Sequence, residues 1–380
     1  MNILFIERFL LPSNGGIERV TNILGSYLHT KGLVCHYLFC SKDYSEIPIE
    51  NKIQIKSYYS YFHLRPRLIK YVKEKNIDVI IVQQIFSDAL WFVLKELKSR
   101  KMCKIVTCFH LSPNICLFQS RNNKLSKREI LYKITGIFPI SFIDIVRKYY
   151  EISNSFVLLS DSFKEDFIKY YHLKHSDKLV AIPNPCTYKN NISIENIQYK
   201  KKQILIVSRF WEKQKNICSA LRIWKNIENF GVNDWNLVIA GDGQDGNMIK
   251  QYAKNLDLKY CKFVGAVSEP QALYEESRIF MMTSNFEGFG MTLLEAMQNG
   301  CVPIAYDTFS TLHDIIRDSY DGFIIKSNQE HTYTDKIIQL MGNDTLCKSM
   351  AIHAVESSKR FNQENIANKW IGLLSGIVVH

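Results

Sequence analysis

The sequence predicts an α/β protein made of two Rossmann-like parallel-sheet domains facing across a cleft. Three observations carry that expectation. The chain has 380 residues, more than one hydrophobic core usually serves. Short apolar runs alternate with amphipathic segments, the pattern of buried strands joined by crossover helices. The alternation halts at one polar stretch, TYKNNISIENIQYKKK over 187–202, and then starts again.

Taken in order, Ile3–Ile6 is an apolar run that reads as a buried strand. SNGGIERVTNIL (13–24) follows as a glycine loop opening a helix, with Val20, Ile23, Leu24, Tyr27 and Leu28 at helical spacing. VCHYLFC (34–40), Val79–Val82 and KIVTCFH (104–110) are further strands, and DALWFVLKELKSR is an amphipathic helix between them. NSFVLLSDSFKEDFIKYY reads as a strand, a Ser/Asp cap and a helix. KLVAIPNP (178–185) is a strand stopped by prolines. After the polar stretch come QILIVSRF, NLVIAGDG, CKFVGAV, SRIFMMTS, CVPIAY and DGFIIK. The expected boundaries are 1–190 and 200–362, with 187–202 as linker. The last helix, roughly Gln363 to Ile377 within 363–380, is expected to cross back onto the first domain.

Composition narrows the class. A hydrophobic fraction of 46% with 22% charged residues is that of a globular protein. No apolar run approaches the ~20 residues of a membrane span. The start, MNILFIERFL, has neither a basic n-region nor a small-residue cleavage site, so a cytosolic protein is expected. Ten cysteines form no CxxC pair and no His/Cys metal spacing, so they read as reduced thiols and no metal centre is expected.

The net charge of +11 is one-sided. Residues 1–190 carry 28 Lys and Arg against 16 Asp and Glu, whereas 191–380 carry 20 against 21. The first half therefore calls for an anionic partner. RNNKLSKREILYKITGIFPISFIDIVRKYY (121–150) has basic residues at both ends of an apolar run, and it is expected to lie on an anionic membrane surface. The other reading is a buried helix with solvated basic ends. No stacking motif supports a nucleic-acid partner.

The chemistry concentrates in NFEGFGMTLLEAMQNGCVPIAY (285–306). Gly288 and Gly290 let a backbone approach a ligand closely. The amides of Gly290, Met291 and Thr292 open a helix, where a phosphate is favoured. Glu295 lies about a turn inside it, placed to accept ribose hydroxyls, and Glu287 lies in the loop beside Phe289. Either glutamate alone reads as easily as a solvated surface residue. The full string E-G-F-G-x3-L-E-A-M-x-x-G resembles the donor-site signature of the retaining family 4 glycosyltransferases, which adopt the GT-B fold.

The resemblance runs from about residue 3 to about 370 and implies a site. Glu287 would engage the donor sugar and Glu295 the ribose. The amide of Gly16, in SNGG, would approach the donor diphosphate and the acceptor. His110, ending VTCFH, would stand at the catalytic centre. Arg209, in ILIVSRFWEKQKN (204–216), would neutralise the diphosphate with a lysine. The spacing leaves Lys213 and Lys215 both open, and QKN at the usual helix start favours Lys215. Phe309-Ser310 stands where many relatives carry Gly-Gly, which puts the sugar's identity in doubt. The expected activity is metal-independent, cofactor-free transfer from a nucleotide-sugar, most simply a UDP-sugar, to a glycan or lipid-linked acceptor. Capsule or lipopolysaccharide assembly at the inner membrane face is the expected setting. The rival is a non-catalytic partner subunit of the same fold. A dinucleotide dehydrogenase is excluded, because SNGGIERV lacks the G-x-G-x-x-G it needs.

Overall fold

The computed structural model describes residues 1–9, 15–40, 51–83, 86–113 and 142–378. The chain divides into two compact units, Met1–Pro185 with Glu364–His380, and Cys186–Gln363.

The first unit holds a seven-stranded sheet in the order β3-β2-β1-β4-β5-β6-β7. Its strands are β1 Asn2–Ile6, β2 Val34–Phe39, β3 Lys52–Gln54, β4 Val79–Gln83, β5 Lys104–Phe109, β6 Ser155–Leu158 and β7 Leu179–Ala181. All neighbours run parallel, for example Ile3↔Cys35 and Ile3↔Val79 on either side of β1. The order reverses beside β1, where β2 lies on one side and β4 on the other, and such switch points are where α/β sheets bind ligands. β4 is buried at every position because helices cover both faces. The edge strand β3 has no counterpart in the sequence reading. It is three residues long and only half-buried, so it lacks the apolar run that identifies a strand.

One layer of this core comes from the far end of the chain. The helix Gln363–Val378 buries Ile366, Ala367, Trp370 and Leu374 against Ile3, Phe5, Leu24 and Leu28. Burying those four side chains away from water offsets the entropy of bringing a distant segment back.

The second unit holds a six-stranded parallel sheet in the order β10-β9-β8-β11-β12-β13. Its strands are β8 Lys201–Val207, β9 Asn236–Ala240, β10 Cys261–Gly265, β11 Ser277–Met282, β12 Val302–Asp307 and β13 Phe323–Lys326. The core includes Trp224, Trp235, Leu237, Ile304 and Tyr333. Among the described residues no helix is long and apolar enough to cross a membrane.

The stretch 187–202 is not a free tether. Asn191 donates through Nδ2 to the Ser358 hydroxyl at 3.0 Å, and Ile194–Tyr199 forms a 3-10 helix. Lys200 is buried, its ammonium donating to Tyr274 O and Ser277 O at 2.7 and 2.8 Å. A polar sequence reads as solvated, yet these groups find interior partners, which sequence pattern does not register. The Ser/Asp cap expected before the helix Phe163–Tyr171 is also absent. Ser162, at the cap position, makes no side-chain cap bond, and the Ser160 hydroxyl accepts from the Ser162 amide instead.

Candidate active site

Because every strand of the second sheet runs the same way, the loops after β8, β9, β11 and β12 share its carboxyl edge. Two of them form the core of the site. The loop after β8 leads into the short helix Glu212–Lys215, and the loop after β11 leads into the helix Met291–Gln298.

The two loops are bonded to each other. Asn285 N donates to Gln214 O at 2.7 Å, and Asn285 Nδ2 to Lys213 O at 3.0 Å. The Thr283 hydroxyl donates to Asn216 O at 2.9 Å, and Trp211 stacks edge-on against Phe286 at 5.9 Å. This lacing holds Lys215 over the second loop. Its ammonium lies 2.5 Å from Glu287 Oε1, with the two side chains only 16% and 10% exposed. A pair this enclosed is screened little by salt.

Gly290 starts the helix Met291–Gln298 with φ +87°, in the left-handed region. A Cβ there would also lie 3.2 Å from Leu293 Cδ1 and 3.3 Å from the Phe309 ring. The Leu293 amide donates to Gly290 O at 3.0 Å, whereas the helix itself offers no acceptor to the Met291 and Thr292 amides, which are placed to meet an anion. Phe309 is buried and packs against this turn.

Glu295 is buried rather than solvated. Its Oε1 accepts from the Thr187 hydroxyl at 2.7 Å and its Oε2 from the Tyr274 hydroxyl at 2.9 Å. Thr187 and Tyr274 escape the sequence reading. One lies in the expected linker, and the other is an aromatic at ordinary core spacing in Gln271–Glu276.

Of the expected residues, the structure brings Lys215, Glu287, Gly288, Phe289, Gly290, Met291 and Glu295 to one edge. Lys213 is exposed, with its carbonyl serving Asn285. Arg209 is exposed in the loop after β8 and forms no salt bridge among the described residues. Gly16 and His110 belong to the first unit. Gly16 is exposed and opens the helix Gly16–Thr30, behind an extended Gly15 of φ 174°. His110 follows β5, with Nε2 2.5 Å from Gln83 Oε1, and desolvation pulls its pKa down to about 4. Glu7, just past β1, is a buried carboxyl missed by the sequence reading. Burial and the nearby Glu18 raise it well above the usual carboxylate range. Arg121, Lys124, Lys127, Arg128 and Lys133, the front of the expected membrane segment, lie outside the described residues. Among those described, no group of three His, Cys, Asp or Glu could hold a metal.

Residues 14–187 match the family model described as Glycosyltransferase Family 4. Residues 188–356 match the one described as Glycosyl transferases group 1. The chain is 25% identical over 372 residues to the amylovoran biosynthesis glycosyltransferase AmsD of Erwinia amylovora, covering 96% of this chain and 97% of that one. It is 24% identical over 209 residues, 55% of this chain and 58% of the other, to an N-acetylgalactosaminyltransferase of Campylobacter jejuni named for a PP-undecaprenol-linked saccharide. Its fold is similar to that of Anabaena HepE, solved in complex with UDP, with a TM-score of 0.75 at 16% identity over 99% of this chain and 100% of that one. The chain therefore carries a match to a Family 4 glycosyltransferase domain followed by a match to a group 1 domain, and its two parallel-sheet units are those of the GT-B fold.

Proposed function

We propose that this chain is a retaining glycosyltransferase that moves a sugar from a UDP-sugar to a lipid-linked or glycan acceptor in surface polysaccharide assembly. The observation that carries the reading is the enclosed Lys215–Glu287 pair beside the helix opened by Gly290. A lysine held at that edge is placed to neutralise a diphosphate, and a glutamate beside it to take sugar hydroxyls. The UDP bound by HepE supports a uridine nucleotide on the donor. The Campylobacter relative's name and the basic first half of the chain support a lipid-linked acceptor.

Each residue then has a task. Amides of Met291 and Thr292 receive the diphosphate together with Arg209 and Lys215, and Glu295 holds the ribose. As the sugar's C1–O bond breaks, its electron pair stays on the nucleoside diphosphate, where the cations stabilise the charge. The acceptor oxygen bonds to C1 on the face the leaving group departs from. Its proton passes to a diphosphate oxygen. Glu287 orients the sugar, and Gly288 and Phe289 shape the turn that presents it. Gly16 and His110 serve the acceptor side, His110 as a neutral imidazole at neutral pH. With amides and side-chain cations on the diphosphate, the reaction proceeds without a metal or an organic cofactor. The work is done at the cytoplasmic membrane face, where lipid-linked acceptors of capsule or lipopolysaccharide precursors are exposed.

The test is binding and slow hydrolysis of UDP-, GDP- and ADP-sugars by the purified protein, with and without chelator, beside Glu287→Ala and Arg209→Ala. One donor turned over by the parent and not by the variants supports the reading. A protein that binds no nucleotide is the partner subunit instead.

A further inference from the structure

The most exposed large apolar side chain among the described residues is Phe62, at 87%. It does not stand alone. Tyr59 is 71% exposed and Phe92 is 52% exposed. The Tyr61 ring links the two phenylalanines, 5.8 Å from Phe62 and 6.3 Å from Phe92. Trp91 extends the cluster, 4.9 Å from Phe92. Exposed rings that gather in one place mark a surface with a partner, whereas scattered ones need no explanation.

The charges around the rings are one-sided. Glu96 is bridged at 2.6 Å by both Arg65 and Arg100, and Asp88 lies 3.4 Å from Lys148. Lys56, three residues before Tyr59, and Lys95, whose ammonium lies 4.9 Å from the Trp91 ring, are exposed and have no carboxylate partner among the described residues. Aromatic rings flanked by such cations match a bilayer interface, where the rings enter the headgroup region and the cations meet anionic lipid. A second copy of the chain fits less well, because an isologous contact would set the same cations against each other.

The patch also sits where a lipid-borne substrate would be used. The Tyr58 hydroxyl donates to Glu7 O and Leu38 O, the carbonyls just past β1 and near the end of β2, at 2.5 and 2.7 Å. The Ser87 hydroxyl donates to Tyr58 O at 2.7 Å and caps the helix Asp88–Ser99 by accepting from Leu90 N. These bonds pin Tyr59, Phe62 and Phe92 beside the carboxyl edge of the first sheet, the edge that also carries His110.

We infer that Tyr59, Phe62 and Phe92, with Lys56 and Lys95, form a face that docks on an anionic bilayer and brings the first unit's substrate edge to a lipid-borne acceptor. The docking itself does not depend on the donor chemistry. Only its purpose rests on the acceptor reading above.

The test is co-flotation of the full chain with phosphatidylcholine vesicles, with and without phosphatidylglycerol, at low and high salt. The variants are Phe62→Ser/Phe92→Ser, Lys56→Glu/Lys95→Glu, and the control Phe230→Ser, an exposed ring of the second unit. The parent and control are expected to bind only the anionic vesicles, and less at high salt. Both double variants are expected to bind at least about tenfold more weakly, with unchanged far-UV dichroism and unchanged nucleotide-sugar hydrolysis. Equal binding by parent and Phe62→Ser/Phe92→Ser overturns the inference, as does a parent that ignores anionic vesicles. A parent dimer in sedimentation velocity that the aromatic variant dissolves reassigns the face to self-association. Loss of donor hydrolysis in the parent bears on the proposed function and leaves the vesicle result standing.

Discussion

Lys215 and Glu287 neutralise each other at 2.5 Å in a setting that hides most of both side chains. Removing one partner leaves the other charge enclosed without compensation. Glu287→Ala is expected to cost on the order of 2 kcal/mol of stability, read as a lower urea midpoint of the second unit. The double variant Lys215→Met/Glu287→Leu separates folding from chemistry, because an apolar pair can replace a buried ion pair. It is expected to recover the urea midpoint while turnover stays at least ~100-fold down. Recovery of both would make the pair a purely structural feature.

His110 gives the pH prediction. Its pKa is pulled down to about 4 by desolvation, below the ordinary value of 6.5. Between those values the unfolded chain binds a proton that the folded chain refuses. Its contribution to stability is therefore complete above about 6.5 and is lost as pH falls toward 4. The slope is at most about 1.4 kcal/mol per pH unit. His110→Asn is expected to flatten that part of the curve in urea titrations across the acid range, and an unchanged slope would refute the assignment.

At the scale of elements, the helix Met291–Gln298 depends on its first turn. Gly290 is constrained both by its φ of +87° and by the Phe309 ring 3.3 Å from where a Cβ would stand. Gly290→Ala is expected to lose roughly 1–2 kcal/mol and to weaken nucleotide binding, measured by calorimetry. Gly241, after β9, is constrained harder. A Cβ there would fall 1.8 Å from the Ser208 carbonyl oxygen, which is backbone and cannot rotate away. Gly241→Ala is expected to disrupt the loop after β8, so it should cost more stability than Gly290→Ala in the same assay. The glycine string in 288–290 was legible because glycine has few other reasons to cluster before a helix. The packing of Phe309 against that turn was not, since it joins residues far apart in sequence.

For the whole molecule, the helix Gln363–Val378 is the plainest case of long-range dependence. Trp370 is buried in the first unit's core although it follows the entire second unit. Trp370→Ala is expected to cost about 3–5 kcal/mol, and in scanning calorimetry that loss should fall on the first unit's transition alone. A shift of the second unit's transition would contradict the division into units.

The sequence by itself determined two parallel α/β sheets, because period and apolar run length follow from local backbone geometry. It determined the glycosyltransferase signature too, since Glu287, Gly288, Gly290 and Glu295 lie within one loop and helix. The sequence favoured Lys215 but left Lys213 open, and only the tertiary structure brings Lys215 to Glu287, because the two lysines differ in how a four-residue helix turns them. It also decided that 187–202 belongs to the second unit, through Thr187 on Glu295 and the buried Lys200. It decided as well that Phe62 and Phe92 stand exposed together. Contacts between residues distant along the chain depend on packing, and no local period encodes them.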